Sequence, residues 1–388
     1  MLVTKPEELE ALVQRLRANR VFALDTEFER ERTFWPKLQL IQVGIDGEVA
    51  AIDPLALPDL KPFYTLVTDP DIRKVTHAGK QDAEIFFNRI GSPPRNFYDT
   101  QIAAALVGFG EQAGYAQLVQ RILQIRIKKT ERTTDWGKRP LSEAQLEYAL
   151  GDVRHLLPLK AHLDKELGAL GRKDWLTEEL EFYSDPDFYD QDPDRLWMRV
   201  SGWRGLDRRS PGILQDLAKW RNTEAQSRDK PRNRIVPDDV LAEIAARQPR
   251  RVSDLRPLRR LHPREIERSG EAIIAEVEKG LNRPESELPV VPRAKRENPD
   301  LSPVADLLGV LLRKKARESR IASSYLGNQK AIAKLVEWLS GPRSGDLPPL
   351  LLGWRKELVG DDLMALFDGE ISLKVVDGKL TERSSVKN

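Results

Sequence analysis

Apolar positions in the first part of the chain follow two periods that together predict an α/β fold. Between Pro6 and Asn19 they recur at helical spacing, and the short continuous run from Val21 to Leu24 is typical of a buried strand. The pair Asp46-Gly47 indicates a hairpin turn between two later strands. The other predicted elements are strands 38–45, 48–53 and 73–77 and helices 57–67, 80–89 and 141–167. We expect a sheet that is built first and then wrapped by helices.

The remainder of the chain has a helical pattern that is interrupted at two boundaries. One is rich in acidic and aromatic residues, as in a linker or docking strap, and the other is rich in proline. A weak internal repeat, in which residues 234–246 can be laid over 320–335, suggests two copies of one small helical module. The predicted divisions are an α/β domain 1–170, an acidic-aromatic linker 171–205, all-α domains 206–286 and 303–378 joined by a proline-rich linker 287–302, and a disordered tail 379–388.

Composition narrows the class of protein. Charged residues make up 32 % and apolar residues 40 % of the 388 residues, which is typical of a globular chain. We find no apolar run long enough to predict a membrane span, and the first residues lack the pattern of a signal peptide. With no cysteine, the chain has no disulfide, no thiolate metal site and no cysteine nucleophile. We expect a cytoplasmic, monomeric protein with no membrane partner.

The distribution of charge says more than the total, which is only +2. Between Arg199 and Glu271 there are 18 Lys and Arg against 11 Asp and Glu, a local charge of +7, so the rest of the chain carries −5. A basic segment can attract phosphates regardless of sequence, and a metal-binding domain is expected to be acidic.

Two carboxylates stand at the end of the first buried strand. Because strand side chains alternate between faces, Asp25 and Glu27 project from the same face. Two adjacent carboxylates repel each other unless a cation lies between them, and oxygen ligands suit magnesium and manganese. The pattern therefore indicates a metal site, although Asp-x-Glu also occurs by chance or as a helix cap.

Two further acids occupy suggestive positions. Asp82 follows Gly79 and falls in the first turn of a predicted helix, where an acid is also favoured by the helix dipole alone. Tyr148 and Asp152 are four residues apart, so a phenol and a carboxylate share one helix face, although each could be ordinary surface decoration.

The order of these residues resembles the three motifs of DnaQ-like 3′-5′ exonucleases with a tyrosine in the third motif. Several longer words are similar to bacterial ribonucleases D, and the segment from Trp220 to Pro237 resembles a helicase-and-RNase-D C-terminal (HRDC) domain. One departure is Ala78, where many relatives have Asn. The words are Leu24-Asp-Thr-Glu-Phe28, Pro36-Lys-Leu-Gln-Leu-Ile-Gln42, His77-Ala-Gly-Lys-Gln-Asp82, Tyr98-Asp-Thr-Gln101, Thr134-Asp-Trp136, Arg139-Pro-Leu141 and Tyr148-x-x-x-Asp152.

This resemblance implies a ribonuclease H-like mixed-sheet exonuclease domain followed by two HRDC-like domains, the second diverged. It implies removal of nucleotides one at a time from RNA 3′ ends, with release of nucleoside 5′-monophosphates and with tRNA precursors as the substrate. It also implies two divalent ions, Mg or Mn, on Asp25, Glu27, Asp82 and Asp152, with Asp25 as the bridge and Tyr148 orienting the attacking water. Asp99 has no implied metal role, and we expect it to be a helix cap.

The sequence also suggests residues that contact the substrate, and two other functions compete with the one above. The predicted substrate-binding residues are Thr26, Phe28, His77, Arg232 and Arg234. The alternatives are a 3′-5′ exonuclease acting on DNA and a non-catalytic nucleic-acid-binding scaffold with a degenerate nuclease domain. The helical domains favour an RNA enzyme over the first alternative, and the complete set of acids with Tyr148 argues against the second.

Overall fold

A computed structural model describes residues 1–45, 47–127, 134–189, 192–207, 209–289, 291 and 301–384. Within these residues, no helix is both long and apolar enough to cross a membrane. The chain folds into an α/β domain, two helical domains and a strap of short helices that contacts all three.

The α/β domain is built on a mixed sheet, as the alternation of apolar residues predicted. The strands are β1 Leu2–Val3, β2 Val21–Glu29, β3 Lys37–Ile45, β4 Glu48–Ile52, β5 Arg73–Thr76 and β6 Phe97–Asp99. Their order across the sheet is β1-β4-β3-β2-β5-β6. The pairs β2-β3 and β3-β4 are antiparallel, whereas β1-β4, β2-β5 and β5-β6 are parallel. This places β2, with its two acids, near the centre of the sheet.

Helices cover both faces of this sheet. They are α1 Pro6–Asn19, α2 Lys61–Thr68, α3 Lys80–Ile90, α4 Thr100–Leu106, α5 Tyr115–Leu118, α6 Glu143–Arg154 and α7 Leu156–Ala169. Phe22 and Leu24 pack with α1, α2 and α3 on one face, whereas Ala23 packs with α7 on the other. Asp25 and Glu27 therefore project on the same face as Ala23, which α6 and α7 cover.

The helix predicted over 141–167 is in fact two helices. The chain breaks at His155, whose backbone N–H donates to the hydroxyl of Tyr115, and the same hydroxyl donates to the carbonyl of Gly151. Pro158 lies one turn later and has no N–H to continue the hydrogen-bond ladder to Arg154. The break lets α6 end over the carboxylate face while α7 follows the side of the sheet.

The predicted linker 171–205 is a structured strap rather than a flexible connection. It contains α8 Lys173–Leu180, α9 Pro186–Tyr189 and 3₁₀ turns at Glu181–Ser184, Pro193–Arg199 and Trp203–Gly205. Tyr183 is fully buried, and the ring of Tyr189 stacks on Phe87 with ring centroids 4.7 Å apart. The aromatic residues that marked this segment in the sequence are thus the ones that attach it to the α/β domain.

The two helical domains share one order of elements, which supports the predicted repeat. The first contains α10 Ser210–Ser227, α11 Arg232–Ile235, α12 Asp238–Arg247, a 3₁₀ turn Val252–Leu255 and α13 Pro263–Asn282. The second contains α14 Ser302–Glu318, α15 Ser323–Leu326, α16 Gln329–Leu339, a 3₁₀ turn Pro349–Leu351, α17 Gly353–Arg355, a π-helical turn Lys356–Gly360 and α18 Asp361–Phe367. By this order Ile235 corresponds to Leu326, so the alignment of the sequence repeat, which placed Ile235 over Ile321, was shifted.

The second helical domain ends in a β-hairpin that the all-α prediction did not include. Its strands are β7 Ile371–Val376 and β8 Lys379–Ser384. The prediction of a disordered tail is therefore wrong for residues 379–384, and the rest of that tail, residues 385–388, lies outside the described residues. Asp377 and Gly378 both have positive φ at the turn, which is the Asp-Gly hairpin signal used earlier only for Asp46-Gly47. Glu382 pairs with Lys314 and Lys315 of α14 and fixes the hairpin.

The second helical domain docks on the α/β domain through the strap. Glu179 of α8 accepts hydrogen bonds from the indole of Trp354, the hydroxyl of Tyr325 and the guanidinium of Arg355. The ring of Trp175 stacks on that of Trp354 with centroids 4.8 Å apart. One hydrophobic cluster runs from α4 and α7 into the second helical domain, so these two parts share a core.

We predict that Glu179→Ala weakens this docking, because it leaves three donors around Glu179 without their acceptor. The expected loss is about 2–3 kcal/mol in the free energy of unfolding, measured from the shift of the urea midpoint. Glu181→Ala, which changes an exposed acid of the same strap, is the matched control. Equal midpoints for the two variants would show that Glu179 does not hold the domains together.

Candidate active site

Strand β2 carries two of the predicted acids. Asp25 lies directly across from Gln42 of β3 and Glu27 from Leu40, with a bulge between Glu27 and Phe28. The sequence had suggested that the acids stand at the end of this strand. The strand in fact continues to Glu29, so both acids lie inside it. A bulge increases the local twist of a strand, so the residues after Glu27 point in other directions than regular alternation would give.

Asp82 is brought to the same region by the turn between β5 and α3. Asp99 organises this turn, because its carboxylate accepts the backbone N–H groups of Ala78 at 2.9 Å and Gly79 at 3.1 Å. It also accepts the backbone N–H of Gln101 at 2.8 Å, which confirms the predicted helix cap. Ala78 has φ of +58°, a left-handed conformation that Asn adopts more readily than Ala.

The buried side chain of Thr26 connects β2 to α3. Its hydroxyl donates a hydrogen bond to the carboxylate of Asp82, which lies in the first turn of α3. Asp82 is thereby fixed beside the strand that carries Asp25 and Glu27.

Helix α6 provides the third side of the site. It begins with a capping box between Ser142 and Gln145 and packs on β2, β3 and β4. Gly44 permits this close approach, since a Cβ there would lie 3.3 Å from the carbonyl oxygen of Val153. Tyr148 and Asp152 are both half-buried on α6, and the ring of Tyr148 packs against Trp136 with centroids 6.1 Å apart.

The electrostatics show that the four acids share one region. Burial raises the pKa of Asp25 well above its ordinary value, and the negative charges of Asp82, Asp152 and Glu27 raise it further. Burial, followed by the charges of Asp152 and Asp82, raises the pKa of Glu27 from 4.5 to about 8. Burial raises the pKa of Asp82 to about 6, against the opposing effect of the hydrogen bond from Thr26. Three elements of the fold thus bring together carboxylates that repel one another.

The donor chemistry of this region fits divalent cations. In the part of the chain that the structure describes, no three His, Asp or Glu side chains form a ready-made group for a metal ion. The side chains stand apart because carboxylates without a cation between them repel one another, and because the carboxylate of Asp82 accepts a hydrogen bond from Thr26. Gln42 is fully buried opposite Asp25, and both polar atoms of its amide lack a hydrogen-bond partner among the described residues. Cations with their water shell would satisfy both the charge and the amide.

The predicted substrate-binding residues are spread over two places. Phe28 is half-buried against the core of the α/β domain, and the Nδ1 atom of His77 lies 3.0 Å from the hydroxyl of Thr100. Arg232 lies far along the chain in α11, where its guanidinium packs over the ring of Phe34, and Arg234 is exposed. The two arginines therefore belong to the first helical domain, whereas the four acids belong to the α/β domain.

Two arginines counted as part of a basic surface are not available to it. Arg221 is buried and pairs with Asp238, and Arg228 pairs with Glu265 through both terminal nitrogens. The exposed cations of the first helical domain lie mostly further along. The exposed arginines between residues 247 and 268 are Arg247, Arg250, Arg251, Arg256, Arg259, Arg260, Arg264 and Arg268.

Comparison with known proteins agrees with this arrangement. A family model described as 3′-5′ exonuclease matches residues 1–168, and one described as HRDC domain matches residues 210–277. The chain is 40 % identical to the ribonuclease D of Granulibacter bethesdensis over 97 % of its own length and 95 % of that protein. It is also 40 % identical to the ribonuclease D of Zymomonas mobilis, over 98 % and 97 % of the two chains.

The chain belongs to the ribonuclease D family. The crystal structure of Escherichia coli RNase D is 33 % identical and superposes with a TM-score of 0.85 over 95 % of this chain and 98 % of that one. The predicted family and fold are therefore confirmed, and the chain is a 3′-5′ exoribonuclease with an HRDC domain after its catalytic part.

Some residues that shape this ribonuclease D site were missed from the sequence. Tyr183, in the strap, donates to the carboxylate of Asp99 at 2.7 Å, and Tyr115 joins α5 to the end of α6. Arg139 reaches Asp53 through two hydrogen bonds of 2.6 and 2.8 Å and holds the loop before α6. Arg139 had a sequence signal, since it lies in one of the words shared with the family, whereas Tyr115 and Tyr183 lie outside all of these words.

We predict that in the absence of divalent cations this protein loses stability as pH rises. Below about pH 4.5 Glu27 is protonated in both states, but between 4.5 and about 8 the unfolded state ionises while the folded state resists. Glu27→Gln should therefore melt about 2–4 °C higher than the wild type at pH 8 in EDTA, with little difference at pH 4.5. Melting curves at both pH values test this, with the exposed Glu10→Gln as control. A Glu27→Gln effect that is independent of pH would contradict the repulsion.

Proposed function

We propose that this ribonuclease D trims RNA from the 3′ end by a two-cation mechanism and releases nucleoside 5′-monophosphates. The proposal rests mainly on the electrostatic coupling of Asp25, Glu27, Asp82 and Asp152 on three different elements. These four carboxylates would hold two divalent ions, Mg²⁺ or Mn²⁺. When bound, the ions supply the positive charge that activates water and stabilises the leaving 3′ oxygen.

Each protein group has a distinct part in this proposal. Asp25 feels the charge of all three other acids, which supports its role as the shared ligand. Asp82 is oriented by Thr26, so its carboxylate is already positioned before substrate binds. Tyr148 would hold the attacking water through its hydroxyl, since it lies one turn before Asp152 on the same face of α6.

RNA precursors with extended 3′ ends, such as those of tRNA, are the proposed substrates. The Escherichia coli relative is described as an exoribonuclease involved in structured RNA processing, and that similarity extends over 95 % of this chain. We propose that the α/β domain cuts, and that the exposed arginines of residues 247–268 hold the structured part of the RNA through its phosphates.

We further propose that the division of labour follows the domains. Residues 1–170 form the exonuclease domain, 206–286 the HRDC domain and 303–378 a diverged copy of it. The common order of helices in the two helical domains supports the last assignment. The shared core of α7 and the second helical domain makes that copy part of the catalytic body rather than a mobile arm.

We predict that Asp25→Asn abolishes turnover of RNA while it leaves folding and RNA binding nearly unchanged, because it removes one charge from the cation site. Stepwise shortening of 5′-labelled RNA on a gel, with and without Mg²⁺ or Mn²⁺, measures this. The control is Asp71→Asn, an exposed acid of the same domain. An Asp25→Asn protein that trims at the wild-type rate would remove Asp25 from the site, and a DNA strand of the same sequence reports the sugar preference.

We predict that Tyr148→Phe reduces the rate at saturating RNA about 10–1,000-fold with little change in affinity, because the ring packing stays and only the hydroxyl is lost. Single-turnover rates and binding constants separate the two effects. Tyr64→Phe, another half-buried tyrosine of this domain, serves as control. An unchanged rate would leave Tyr148 with packing against Trp136 as its role.

A further inference from the structure

A large cleft lies between the exonuclease domain and the first helical domain, beside the acids but not lined by them. Its volume is about 910 Å³, near the upper end of about 300–1,000 Å³ for ligand pockets. One wall is formed by the loop after β2 and by α3, and the other by α10, α11 and the 3₁₀ turn Pro193–Arg199 of the strap. We call this space the interdomain cleft.

The elements that hold the acids run directly into the walls of the interdomain cleft. Residues 30 and 33–36, which line the cleft, follow the strand with Asp25 and Glu27. Helix α3 begins near Asp82 and lines the cleft with Glu84 further along. Arg30 and Glu84 form an ion pair of 2.7 Å that ties these two elements together at the junction. A chain whose 3′ end lies at the acids would therefore continue naturally into this space.

The far wall of the interdomain cleft gathers positive charge. Arg199 and Arg232 line it, whereas the other two cations there, Lys219 and Arg221, are paired with Asp194 and Asp238. Burial lowers the pKa of Arg232, and the nearby charges of Arg221 and Arg199 lower it further. Arg199 and Arg232 are close enough for their charges to interact, and such a pair of guanidinium groups favours an anion beside it. RNA phosphates are the anions this enzyme class meets.

An aromatic platform stands in the same cleft. Trp35 is 42 % exposed, whereas the other tryptophans are buried or half-buried. The carboxylate of Asp229, from the first helical domain, accepts the backbone N–H groups of Phe34 at 3.1 Å and Trp35 at 3.2 Å. The ring of Phe34 packs edge-on against Trp35 with centroids 4.8 Å apart. The backbone at Trp35 is thus held by the first helical domain, and its exposed indole is held by the ring of Phe34.

We propose that the interdomain cleft binds the single-stranded RNA on the 5′ side of the nucleotide being removed, with Trp35 stacking on a base and Arg199 and Arg232 contacting phosphates. A base must be unpaired to stack on a side chain, so the cleft selects single strands over duplexes. The proposal rests on the proposed exoribonuclease function and adds a second contact region to it. The geometry also explains why the first helical domain is fixed to the loop after β2.

The test compares a dinucleotide, too short to reach the cleft, with a single-stranded dodecamer. Wild type, Trp35→Ala, Trp35→Phe and the control Leu352→Ala, an exposed apolar residue of the second helical domain, are assayed for kcat/KM on both. In Trp35→Ala the ratio of the dodecamer value to the dinucleotide value should fall about 10-fold, the size expected for loss of one stacked base. Trp35→Phe should keep most of the ratio, and Leu352→Ala all of it.

A binding measurement makes the outcome independent of turnover. In EDTA, the single-stranded dodecamer should quench tryptophan fluorescence in the wild type and quench it much less in Trp35→Phe, whereas a blunt duplex should quench little in either protein. An unchanged ratio in Trp35→Ala, equal losses on both RNAs, or equal quenching by the duplex would overturn the proposal. If the wild type hydrolyses neither RNA, the proposed function fails, but the quenching still decides whether RNA enters the cleft.

Discussion

Electrostatic repulsion among four carboxylates is the constraint around which this protein is built. Asp25 and Glu27 share a strand face, and the fold adds Asp82 and Asp152 from two helices. Burial together with the charges of Asp152 and Asp82 raises the pKa of Glu27 to about 8. A fold would gain nothing from such a cluster by itself, because each added charge opposes ionisation of the others. The surrounding elements are therefore best understood as a frame that prevents the acids from moving apart.

That frame extends beyond the exonuclease domain. Asp99 fixes the turn before α3, and its fourth hydrogen bond comes from Tyr183 in the strap, which in turn accepts a hydrogen bond from Tyr189. Four residues before Tyr183 along the chain, Glu179 holds the second helical domain. The turn that positions Asp82 is thus linked, through a few directly bonded groups, to the docking of the second helical domain.

The sequence predicted what depends on local pattern and missed what depends on distant partners. Helix Pro6–Asn19 has the predicted bounds, because its apolar face and its start at a proline are local signals. Strand β2 extends five residues past Leu24, since polar residues in a paired strand look like a loop until their partners on β3 are known. Arg221 and Arg228 were counted as surface charge because Asp238 and Glu265 lie far away in the sequence. The motifs located the acids, but the cleft beside Trp35 required both domains.

The hydrophobic cluster shared by α4, α7 and the second helical domain has a consequence for synthesis on the ribosome. The exonuclease domain is complete after residue 170, yet the residues that cover its exposed apolar side are the last to be made. At about 5–20 residues per second, the gap lasts on the order of 10 s or more. During that time, surface around Leu106 and Trp175 has no partner, so the nascent chain is expected to need a chaperone until α18 emerges and closes it.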